Sequence, residues 1–187
     1  MEKFPSFNEI VGGTPKQKED LIQEAAEAVA LEGKERFGKK KYEKYIVEPT
    51  PEQQEAIDQA VSYANEVARR YGGREIDNQN IFLVKRGAVS KLSRNLFGGF
   101  YDAFNQSIVI EEGDTIEISL TAAHELLHKA SFHSAKIDEH GEDDLYRSGI
   151  SMLSQKRGIM AFEHANEAII TILTDEFFRK VLLNHKD

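Results

Sequence analysis

The chain has 187 residues, 40% hydrophobic and 30% charged, with a formal net charge of −8 and no cysteine. That length suits one domain with a full apolar core, and the acidic balance excludes nucleic acid as the main partner, because phosphate binding needs a basic face. Without cysteine there is no disulfide framework, and any metal site is restricted to His, Asp and Glu.

The N-terminus, "MEKFPSFNEIVGG", lacks the basic start and apolar stretch of a signal peptide. No apolar run approaches the ~18 residues of a membrane span. A cytoplasmic protein with no membrane partner is expected, as a monomer or weak dimer. Residues 1–13 read as irregular. "TPKQ" at 14–17 opens a helix, with Thr14 as cap, Pro15 in the first turn and Gln17 closing a capping box. That helix should run to about Phe37. "KKKYEK" follows as a solvated linker. Thr50 and Pro51 repeat the start signal, and Ile57, Val61, Ala64 and Ala68 give the second helix a buried stripe that ends before Gly72.

The pattern then changes. "IFLV" at 81–84 reads as a strand and "FYDAFNQSIVI" at 100–110 as a second extended segment or hairpin. Asp114, with Glu117 three residues on, opens a helix that should reach about His133. An acidic loop is expected at 138–144, then a hairpin from 146–153 and 158–162 joined by "SQKR". The last long helix should span about 163–183. The order of strands and helices predicts an α+β fold.

The chemistry lies in "TAAHELLHKASF" at 121–132. A helix turns about 100° per residue, so His124 and His128 project to one side, one turn apart. Two imidazoles at that spacing can share one tetrahedral ion. Glu125, one residue round, is placed to take a proton from a water on the ion's open side. A third ligand is needed. Ser131 and Ser134 stand where a metzincin would have glycine and histidine, which removes that arrangement. His133, read as solvent-facing near the helix end, and His140, in the acidic loop, are weak candidates. Glu167, in "HANEAIIT" on the last helix, is the strongest. Its helical neighbours Glu163, Ile170, Thr171 and Thr174 form a mostly polar stripe, and the apolar stripe of Ala165, Ala168, Ile169, Ile172 and Leu173 lies to one side, so that a packed helix can point Glu167 across at the first.

"HELLH" and "NEAI" at 166–169 together resemble the gluzincin metallopeptidases, the thermolysin-like clan, and the compact length is similar to the minigluzincins. The resemblance covers roughly residues 80–183. It implies a zincin-like fold, a small mixed sheet with an active-site helix and a glutamate helix. It implies Zn2+ as cofactor, with His124, His128 and Glu167 as ligands and Glu125 as catalytic base. "GFYDAFNQSIVI" is similar to the edge strand of the zincin cleft, which implies a peptide or protein substrate bound as an added strand. In the family an aspartate one turn after the glutamate ligand orients a zinc histidine; here Thr171 stands there, with Asp175 as a candidate substitute.

The expected division is an N-terminal helical segment, 1–75, packed on or over a metallopeptidase core, 76–187, in one compact unit. For the oxyanion of such an enzyme the candidates are Tyr146, Arg147 and His140, with Tyr146 preferred. Three functions stay open: a zinc peptidase, a zincin-fold metal-binding regulatory or interaction domain without useful proteolysis, and a helical scaffold with no metal.

Overall fold

A computed structural model of the chain describes residues 9–23, 43–73, 75–76, 80–92, 98–102, 107–131, 133–137, 140, 143–149, 151–154 and 159–183. Its strands are β1 (Glu9–Gly12), β2 (Ile81–Val84), β3 (Gly99–Asp102), β4 (Ser107–Glu111), β5 (His133–Ile137), β6 (Asp143–Ser148), β7 (Ser151–Ser154) and β8 (Ile159–Ala161). Its helices are α1 (15–23), α2 (Pro51–Tyr71), a single turn α3 (Val89–Leu92), α4 (Thr115–Ala130) and α5 (Glu163–Phe177), with a π-helical continuation at Phe178–Leu182. The described secondary structure is mixed α+β.

Two capping boxes fix the starts of the main helices. Thr50 accepts from the Gln53 N–H while Gln53 reaches back to Thr50, and Asp114 and Glu117 do the same for α4. Each satisfies N–H groups that have no partner inside the helix. Gly72 ends α2 in the left-handed conformation, at φ 73°.

The core lies between these two helices and one face of the three-stranded sheet β2-β4-β3. Along β4, Ile108 and Ile110 point to the helices and Val109 to the opposite face, the alternation that a pleated strand imposes. Ala56, Ala60, Ala64 and Ala68 line α2 where it meets Ala122, Ala123 and Ala130 of α4. Small side chains at the contact let the two backbones approach closely. α2 is thus a core helix.

A second sheet, in the order β1-β5-β6-β7-β8, combines β1 with the four strands between α4 and α5. Residues 9–12, expected to be irregular, form β1 parallel to β5. The strand escapes notice because it is short and glycine-ended, and its partner is far along the chain. The expected long first helix is helical at 15–23; its remainder lies outside the described residues. The acidic loop is shorter than expected, because β6 already begins at Asp143.

The apolar stripe of α5 is largely exposed. The buried residues of the helix are Asn166, Ile170 and Phe177, whereas Ile169 and Ile172 are 44% and 67% exposed and Ala165 and Ala168 are also exposed. Residues 165, 169 and 172 lie about 140–200° round the helix from Glu167. Turning Glu167 toward α4 therefore turns that stripe to solvent. Tyr63 of α2 fixes the rotation: its hydroxyl donates to the Leu173 carbonyl at 2.8 Å and its ring packs on Phe177 with centroids 5.2 Å apart. Burial and the nearby Glu176 carboxylate push the phenol pKa up, so it stays a donor. Tyr63→Phe is expected to cost about 1–2 kcal/mol, a fall of about 2–8 °C in Tm. An unchanged melting curve would show that this bond does not hold α5.

Candidate metal centre

α4 carries His124 and His128 one turn apart on a partly exposed flank, between the residues buried against α2 and the solvent. Their rings meet edge to face, with centroids 4.9 Å apart, and their Nε2 atoms are 3.2 Å apart. α5 brings Glu167 onto both. Its Oε1 lies 3.3 Å from His128 Nε2 and its Oε2 3.5 Å from His124 Nε2. Among the described residues this is the one His/Asp/Glu group able to hold a metal ion, one ligand atom from each residue lying within 4.8 Å of the others.

The donor spacing tests the fit. In a tetrahedral zinc site with bonds of about 2.0–2.1 Å, ligand atoms are separated by roughly 3.3–3.4 Å. The two imidazole nitrogens, 3.2 Å apart, and the His128 Nε2–Glu167 Oε1 pair, 3.3 Å apart, lie close to that value, and Glu167 faces His124 with its other oxygen, Oε2, at 3.5 Å. The donor set, two imidazoles and a carboxylate, also suits a catalytic rather than a closed structural site.

Electrostatics favour the same use. Burial lowers the pKa of both histidines, and the Glu167 carboxylate opposes that shift without reversing it. Neutral imidazoles are the form that binds metal. Glu125 has a carboxyl pushed up to about 7, chiefly by burial; the Tyr101 N–H that donates to it acts the other way, and the charge of Glu167 adds to the rise. Sequence reasoning places Glu125 beside the pair, but the backbone donor from β3 leaves no trace in the residues.

β3 reaches α4 because of Gly99. A Cβ there would stand 2.5 Å from Thr121 Cγ2 and 3.5 Å from Glu125 Cγ. Only glycine admits this approach. Gly99 thus lies inside the strand, with Gly98 just before it. β3 is the outer strand of its sheet.

Among the described residues none of the other candidates joins this three-residue group. His133 is buried, 2% exposed, not solvent-facing, because α4 stops at Ala130 and His133 starts β5. His140 is exposed in a turn. Tyr146 and Arg147 lie on β6, and their side chains are outside the described part of the structure. Thr171 is exposed, and Asp175 pairs with Arg179 at 2.9 Å, so Asp175 is committed to its own helix surface and not to the histidines. Asn166 has a role that the sequence hides. It is buried, and a Cβ at Gly149 would collide with its Oδ1. Gly149, at φ 58°, turns β6 into β7, so the residue before Glu167 packs on that turn.

No family model, curated protein or solved structure matches the chain. No helix among the described residues is long and apolar enough to cross a membrane.

Proposed function

We propose that the chain is a zinc-dependent metallopeptidase with a gluzincin-like, zincin-type centre. The observation that carries the reading is the convergence of His124 Nε2, His128 Nε2 and the Glu167 carboxylate at metal-ligand spacing. Those three residues would hold the ion. Zinc bound there would supply a Lewis acid for a carbonyl oxygen and lower the pKa of a water to about 7.

The chain's own groups supply the rest. Glu125, with a carboxyl pKa near 7, can take a proton from the attacking water and return it to the leaving nitrogen as the C–N bond breaks. The outer edge of β3 runs past Glu125 and offers backbone groups to an extended peptide or protein substrate. Tyr146 on β6 is the proposed donor to the oxyanion.

A second reading has an observation behind it. Thr171 and Asp175 give the histidines no orienting carboxylate, and such partners support affinity and ligand basicity. This favours a metal-binding regulatory domain with little proteolysis. Incubating zinc-loaded protein with casein and with a peptide library separates the two. Cleavage that a chelator stops and zinc restores supports the peptidase. Zinc bound without cleavage supports the regulatory domain.

A further inference from the structure

We infer that His133 is a positioning residue for the metal centre, an inference that rests on the metal reading and extends it beyond the HExxH motif. His133 is 2% exposed. Its Nε2 lies 3.2 Å from the backbone carbonyl oxygen of His128. A carbonyl can only accept, so Nε2 carries a proton and donates it. This oxygen belongs to the last turn of α4, whose carbonyls have no partner inside the helix. Ser131 completes the cap: its N–H donates to the same oxygen at 3.2 Å and its hydroxyl to the Leu127 carbonyl at 2.8 Å. The turn that carries the His128 ligand is therefore held from outside the helix.

The same ring meets Tyr101 of β3, with centroids 5.9 Å apart at 48°. Tyr101 in turn donates its N–H to the Glu125 carboxylate. One buried imidazole thus touches both the ligand-bearing turn of α4 and the strand that holds Glu125. Its own backbone is held in β5, paired opposite Ser148 of β6, so a sheet outside the helix fixes the ring that caps it. Loosening the last turn would carry His128 Nε2 away from the spacing that a shared ion needs. Outer partners of metal ligands commonly change affinity by about 10–100-fold.

Two variants separate positioning from mere packing. His133→Phe keeps a ring against Tyr101 but has no donor. His133→Gln keeps an N–H near the Nε2 position but has no ring. With zinc alone as probe, His133→Phe is expected to bind about 10-fold more weakly, with a changed visible spectrum when loaded with cobalt(II). Its metal-free Tm should stay within about 5 °C of the parent. His133→Gln should recover both affinity and spectrum. Parental affinity and spectrum in His133→Phe would overturn the inference, as would a loss that His133→Gln does not restore. If His133→Phe fails to fold, His133→Gln decides alone, and weakened binding there overturns it. A parent chain that binds neither zinc nor cobalt would instead refute the metal reading, so the two failures are distinguishable.

Discussion

Glu125→Gln is expected to abolish peptide cleavage while zinc stays bound. The amide keeps the shape of the side chain and can still accept from the Tyr101 N–H, so the helix and its two histidines should be undisturbed. What it loses is the ability to take and return a proton, a contribution of about 10²–10⁴-fold. The same variant carries a stability signature in the metal-free protein. Burial raises the Glu125 carboxyl from 4.5 to about 7. Between those values the folded chain keeps a proton that the unfolded chain has released, so stability falls as pH rises through the window. Above pH 7 the full cost of a buried charge is present. Metal-free Glu125→Gln should therefore be more stable than the parent at pH 8, by roughly 1–3 kcal/mol, and no more stable at pH 4. Denaturant titrations at the two pH values measure it. An advantage of equal size at both would mean that the Glu125 carboxyl is not raised in the folded state.

Glu167→Ala is expected to weaken zinc binding by more than roughly 100-fold, beyond the range that loss of an outer partner costs. Among the described residues Glu167 is the member of the three-residue group that α5 contributes, and its two oxygens face the two imidazoles separately. Its side chain is 47% exposed. An ion pair that open to water contributes little to stability. Removing it should therefore leave the fold of the metal-free protein nearly unchanged while emptying the centre. A chelator competition measures the affinity and a thermal melt of the metal-free protein measures the fold. Binding at the parental strength would leave Glu167 outside the ligand set.

The parts of the molecule that the sequence reveals are those set by local chemistry. Thr50, Gln53, Asp114 and Glu117 mark helix starts because caps are satisfied within a few residues. His124, Glu125 and His128 are legible for the same reason, since one helical turn fixes their relation. Glu167 needed the further step of asking which carboxylate lies on a polar stripe of another helix. The polar stripe does carry Glu167 to within 3.3 and 3.5 Å of the two imidazoles. The apolar stripe beside it is not what packs: the Tyr63 bond and the buried Ile170 and Phe177 turn Ile169 and Ile172 outward.

What stayed hidden depends on contacts between distant segments. β1 is defined by β5, more than a hundred residues on. Gly99 is needed because Thr121 lies against it, not because of its own neighbours. His133 looked like a helix-end residue because nothing local says that α4 stops at Ala130. Its burial follows from pairing with β6 and from the Tyr101 ring. A period of 3.6 residues carries no information about such partners.

Metal analysis combined with X-ray absorption at the zinc edge tests the centre most directly. About one zinc per chain is predicted, with nitrogen and oxygen ligands at about 2.0–2.1 Å, and the signal should vanish in His124→Ala. A parent chain that takes up no zinc, or a His124→Ala chain that keeps the same zinc in the same ligand shell, would contradict it.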